Sequence, residues 1–144
     1  MQKITANVAL GILTLVIRHS SFSFMDLEET FDVGNAHLAL GELDEAVEKY
    51  RACTEADPTF FDGWHALGMA LMKLGRYPEA IAAGLKSIEL HPNDQLAWSS
   101  LSLFYVRNDQ IKEAEDAGAK ARILSWGGKV LKDDGSRPLD DLKK

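Results

Sequence analysis

Between residues 27 and 124 the apolar residues recur three and four positions apart, the interval that places side chains on one side of an α-helix. They fall into paired blocks. Each pair is split by a short polar turn, and the pattern predicts antiparallel helix hairpins. In the clearest pair Trp64, Leu67, Gly68, Leu71 and Leu74 line a first helix, Gly75 supplies a left-handed C-terminal residue, and Pro78 opens a second helix. Ala80, Ile81, Leu85 and Ile88 form the buried stripe of that second helix. Pro92 ends it, and Asn93 is placed to cap the next helix by accepting a backbone N–H bond. The preceding pair reads alike, with helices over 27–40 and 44–56 and Thr59 as the following N-cap. The last pair predicts helices over 95–108 and 111–124, joined through Asp109 where the other two use glycine. Asp tolerates a left-handed backbone less well than Gly but better than most residues.

The pairs are copies of one another. Displacing the chain by about 34 residues brings Gly41 onto Gly75, Ala46 onto Ala80 and then Ala114, Pro58 onto Pro92, and Trp64 onto Trp98. Turn residues and core residues coincide together, which chance does not produce. One such unit cannot bury its apolar stripe alone, so the copies must stack into a small solenoid whose surface is suited to binding another molecule. The resulting organisation is an N-terminal extension over 1–24, a three-repeat domain over 25–126 with repeats of about 27–60, 61–94 and 95–126, and a tail over 127–144.

Composition narrows the function. With 144 residues, 46% of them hydrophobic, the chain is long enough to bury one core. Its net charge is −6, but residues 25–124 alone carry nine Lys and Arg against eighteen Asp and Glu, a net of −9. A surface this acidic repels phosphate backbones and argues against nucleic acid as a partner, while also serving solubility. Cys53 is the single cysteine, so neither an intrachain disulfide nor a multi-cysteine metal site can form, and the compartment stays open. It aligns with Ser87 and Ala121 in the other units and reads as a small packed thiol.

Catalysis finds no support. His19, His37, His65 and His91 lack the spacing of a metal site or of a nucleophile and its base, and H-E-x-x-H, G-x-S-x-G and phosphate-loop patterns are absent. His91 precedes Pro92 at a helix end, where an imidazolium favours the dipole. Asp133 and Asp134 beside Lys132 read as solvated charge. The chain is therefore expected to be no enzyme and to need neither cofactor nor metal.

The residues of these units resemble the tetratricopeptide repeat, whose pattern runs W-x2-L-G-x2-Y, then A-x3-F, then P. Trp64, Leu67, Gly68, Leu71, Ala80 and Pro92 follow it, with Leu71 for Tyr and Gly84 where the aromatic belongs. Val33, Gly34, His37, Ala46, Tyr50 and Pro58 match in the first unit, with Thr30 for Trp and His37 for the packing tyrosine. The third has Trp98, Leu101, Ser102, Tyr105 and Ala114, then Gly118 for the aromatic and Trp126 for the proline. The resemblance covers about two-thirds of the chain and implies an all-α fold, a right-handed superhelix of antiparallel helix pairs. It also implies a protein-binding role, scaffold or adaptor, exercised in a concave groove made by the first helix of each unit.

By that analogy Phe31, Asn35 and Leu38 form one column of the groove, His65, Met69 and Met72 the next, and Ser99, Leu103 and Val106 the third, with Lys73 and Arg107 at the edge. Such a lining suits an extended or helical peptide with apolar anchors and an acidic group. Leu38, Leu103 and Val106 read equally well as core. Some family members grip the C-terminal carboxylate of heat-shock chaperones with Lys, Asn and Arg; of that set only Asn35 is present, with Phe31, Ala66, Leu96 and Ser100 at the other positions. Docking of that type is not expected.

The ends depart from the repeat. Val8 to Ile17 is apolar and follows Lys3, too short to span a bilayer yet within the range of a signal peptide's core, although Arg18 and His19 disturb that pattern. Residues 1–24 read as an upstream extension before a start at Met25, as a signal or membrane anchor, or as an additional packing helix. The expected compartment is the cytoplasm, with export or anchoring through residues 1–24 as the alternative. Glu113, Glu115, Asp116, Lys120 and Arg122 give the last helix the polar exterior of a terminal repeat. After it Trp126-Gly127-Gly128 breaks the helix, and the tail is expected to be mobile or loosely docked, with Trp126 and Leu131 able to fold back. The rival to an interaction module is a structural homo-oligomer without a peptide ligand.

Overall fold

The computed structural model describes residues 24–131, without the side chains of Phe24 and Met25. The alternatives for residues 1–23 and the charges at Lys132, Asp133 and Asp134 lie outside the described residues. Within them the chain forms six α-helices and no strand: α1 (Phe24–Ala39), α2 (Leu43–Ala56), α3 (Phe61–Lys73), α4 (Tyr77–Leu90), α5 (Gln95–Arg107) and α6 (Ile111–Ser125). They pair as α1–α2, α3–α4 and α5–α6. Successive pairs stack through α2 on α3 and α4 on α5, and α3 also touches α5. The result is the all-α solenoid of helix hairpins that the periodicity predicts.

Each hairpin turns the same way. The residues after the first helices, Gly41, Gly75 and Asp109, have φ of 77°, 78° and 58°. The amide after each closes the helix end, with Glu42 N donating to His37 O, Arg76 N to Leu71 O and Gln110 N to Tyr105 O, each at 2.9 Å. Pro78 lies in the first turn of α4, where its missing N–H costs no helical bond. Two N-caps differ from the expectation. The α3 cap is Phe60 and uses no side chain, because the Thr59 amide and hydroxyl both donate to Asp57 Oδ1, at 3.0 and 2.6 Å. These bonds hold the Asp57 carboxyl below its ordinary pKa. The α5 cap is Asp94, whose carboxylate accepts from Ala97 N at 2.7 Å, while Asn93 is turned elsewhere.

The core runs the length of the stack. Tyr50, Leu71, Leu101 and Phe104 are its largest fully buried side chains. Phe104 explains the glycine at the aromatic position of the second unit. A Cβ at Gly84 would stand 3.2 Å from the Phe104 ring and 3.1 Å from Leu101, and one at Gly68 would stand 2.9 Å from the same ring. An aromatic from the next repeat thus fills the space between α3 and α4, and the two glycines make the room. Cys53 is fully buried with its Sγ 3.7 Å from Leu27 O, and burial pushes its thiol pKa up. It is a packed thiol.

The repeat also recurs in a polar bond. Trp64 Nε1 donates to Pro58 O at 2.9 Å, and Trp98 Nε1 donates to Pro92 O at 2.7 Å. Each indole pins the loop that enters its own helix, which links the tryptophan and proline positions physically.

Candidate functional site

The first-helix face belongs to α1, α3 and α5. Its three columns differ in how far they are committed to packing. In α1, Phe31 is half-buried, edge-on to Phe60 at 5.2 Å between centroids and tilted on Tyr50 at 5.6 Å, and Leu38 packs on the core. Asn35 is exposed, and its Oδ1 accepts a 2.8 Å bond from the Tyr50 hydroxyl. Its amide NH2 has no partner among the described residues.

The α3 column is held by α5. His65 Nε2 lies 2.9 Å from Ser100 Oγ, a bond between successive repeats, and burial lowers the His65 pKa against the opposing pull of Asp94 and Asp62. Met69 and Met72 are half-buried and rest on the core. In α5, Ser99 is exposed and donates to Gln95 O at 3.0 Å. Leu103 and Val106 are 37% and 47% exposed, so of the three residues that could have been core only Leu38 joins it. Lys73 and Arg107 are exposed in the last turns of α3 and α5. Among the described residues no hydrogen bond or ion pair joins any two of these groove candidates. The face offers apolar contact and two cations, with polar groups largely spent on its own scaffold.

His19 lies outside the described residues, and His37 and His91 are structural. His37 Nδ1 lies 2.6 Å from Glu42 Oε2 across the first turn. His91, the C-cap of α4, stacks on Phe61 with centroids 4.2 Å apart. Among the described residues no group of three or more His, Cys, Asp or Glu could hold a metal ion, and no helix is long and apolar enough to cross a membrane.

A second concavity lies on another face. A cavity of about 750 Å³ opens between α4 and α6, lined by Leu85 and Ile88 of α4, Trp98 of α5, Ile123 of α6, and Val130 and Leu131 beyond it. None of the groove candidates lines it. The signal for it in the sequence was faint: Leu85 and Ile88 read as buried stripe, yet Leu85 is 43% exposed.

Helix hairpins stacked on a repeated bond pattern, with no convergent reactive groups among the described residues, define an α-solenoid repeat protein. A family model described as tetratricopeptide repeat matches residues 31–95 and again residues 65–129, the second match being the first displaced by one unit. The matches cover more than half of the sequence, and the chain belongs to the tetratricopeptide repeat family. Small glutamine-rich tetratricopeptide repeat-containing protein 2 of Mycosarcoma maydis is 27% identical over 92 residues, spanning 64% of this chain and 25% of that protein. The chain thus matches about a quarter of that relative's length. The solved structure of MamA AMB-1 has a TM-score of 0.68 at 28% identity, covering 72% of this chain and 57% of that one. The second TPR of Spaghetti (RPAP3), solved bound to the HSP90 peptide SRMEEVD, has a TM-score of 0.65 at 21% identity, covering 68% and 91%.

Proposed function

We propose that the chain is an interaction module, a scaffold or adaptor that holds a peptide segment of another protein against the face of α1, α3 and α5. One observation carries the reading: this face keeps Leu103 and Val106 exposed and Met69 and Met72 half-buried, bordered by the cations Lys73 and Arg107. Apolar surface held open on a rigid repeat is what a peptide ligand needs, and methionine adapts its shape to it. The ligand is an extended or helical segment with apolar anchors and an acidic group. The peptide complex of the Spaghetti domain, a protein of the same fold, supports a peptide as the ligand class. A chaperone tail is not the ligand proposed here, because Asn35 stands without the other clamp residues and its Oδ1 is already bonded to Tyr50. The compartment proposed is the cytoplasm, and no catalytic role is proposed.

The test combines size and capture. Light scattering is expected to give a concentration-independent monomer, and a photo-crosslinker at Ser99 to trap a specific protein. Met69→Glu is expected to lower that partner's affinity at least tenfold, since a carboxylate would enter an apolar contact beside an acidic ligand. A stable dimer that captures nothing would favour the homo-oligomeric reading instead.

A further inference from the structure

The end of α6 does not run out into solvent. Gly127, at φ 81°, reverses the chain, and Gly128 N donates to Ile123 O at 2.9 Å. A Cβ on Gly128 would meet Ile123 Cγ2 at 2.7 Å and the Ile123 carbonyl oxygen at 2.9 Å, so only glycine makes this turn without displacement. The turn delivers Val130 and Leu131 to the cavity between α4 and α6. There the Asn93 side chain grips their backbone. Its Oδ1 accepts from Val130 N at 2.9 Å and Leu131 N at 3.0 Å, and its Nδ2 donates to Leu131 O at 3.0 Å.

This grip reads main chain, not side chain, and any segment that bends as Val130 and Leu131 do, turning two successive amides to one side, could make it. The seat beside it reads the side chains, through Leu85, Ile88, Trp98 and Ile123. The seat is larger than its occupant needs, since Leu85 and Ile123 remain 43% and 39% exposed with Val130 and Leu131 in place. Its rim carries Glu89 and Asp116, and Asp116 holds Lys120 at 2.6 Å over the Trp98 ring. The repeats carry a net of −9 over residues 25–124, whereas the occupying pair is flanked in sequence by Lys129 and Lys132. The rim carboxylates Glu89 and Asp116 are already paired with Lys86 and Lys120, so it is the overall negative charge of the repeats that favours a cationic segment.

We infer that the notch formed by Asn93, Leu85, Ile88, Trp98 and Ile123 is a second peptide-binding site, for a bent segment presenting two adjacent aliphatic residues flanked by cations. The chain's own Val130-Leu131 is its resident ligand and competes with a partner for the seat. The site lies between the second helices α4 and α6, with Trp98 of α5 in its lining, and does not depend on the groove reading.

A labelled peptide with the sequence of residues 128–133 tests this by fluorescence polarisation against the full chain. The double variant Val130→Ser/Leu131→Ser weakens the resident without touching the seat, and is expected to bind the peptide roughly tenfold tighter than wild type. Adding Asn93→Ala to it is expected to remove that gain, and a peptide with both aliphatics changed to Ser is expected not to bind. Equal binding by all three proteins, or binding indifferent to Asn93, would overturn the site. Hydrogen exchange gives an independent reading on the single variant Asn93→Ala: the Val130 and Leu131 amides should exchange about tenfold faster than in wild type. Unchanged protection there would overturn the grip.

Discussion

At the scale of single residues, the most informative position is one that the apolar pattern leaves unmarked. Phe104 sits in α5 yet completes the core of the preceding hairpin, against Gly68 and Gly84. Its truncation to Ala should lower stability by about 3–5 kcal/mol in urea unfolding, with cavity formation as the cause. Gly84→Phe, which restores the aromatic of the family pattern, should destabilise the wild type and do markedly less harm in the Phe104→Ala background, because the two rings contend for one volume. His65 gives a pH dependence. Burial lowers its pKa below the ordinary 6.5, so the unfolded chain binds the proton more readily than the folded one. The stabilisation is present above pH 6.5 and is lost as pH falls toward the folded value. The drop in melting temperature from pH 7.5 to pH 5.5 should therefore be smaller in His65→Gln than in wild type, and the His65 ring protons should titrate with a midpoint below 6.5. The Trp and Pro positions were legible in the sequence as repeats, but the bonds from Trp64 to Pro58 and from Trp98 to Pro92 were not, because a repeat shows recurrence without contact.

At the scale of elements, helices were legible to within a few residues because their 3.6-residue period needs only local pattern. Caps were less so. Two polar residues stand near the starts of α3 and α5, and whether either caps the helix depends on the loop: Asp57 engages Thr59 and neither caps α3, whereas Asp94 rather than Asn93 meets the α5 amides. The third hairpin turn carries a measurable cost. Asp109 holds φ of 58° where the other units place glycine, so Asp109→Gly should stabilise the chain by up to about 1 kcal/mol. Thermal denaturation checks this, and the equivalent exchange in the opposite sense, Gly75→Asp, should lower the midpoint.

At the scale of the whole molecule, the described repeats are joined by apolar contact along one core, by the His65–Ser100 bond, and by an exposed ionic link in which Glu79 of α4 meets Arg51 of α2 at 2.6 Å and its own neighbour Arg76. The Arg76 bond, with help from Arg51, keeps the Glu79 carboxyl below its ordinary pKa, but exposed pairs of this kind add little to stability. Among the described residues, the face of α1, α3 and α5 that we propose as the peptide groove and the notch between α4 and α6 are chemically different. By itself the sequence determined the helix count of the repeat region, the hairpin turns and the family, since all of these follow from local period and from recurrence at a fixed interval. It could not decide which of Leu38, Leu103 and Val106 would be core, that Phe104 would cross into the neighbouring hairpin, or that Asn93 would leave the α5 cap to hold Val130 and Leu131. Those are contacts between residues distant in sequence, and they exist only once stacking has fixed which surfaces meet and which polar groups still need partners.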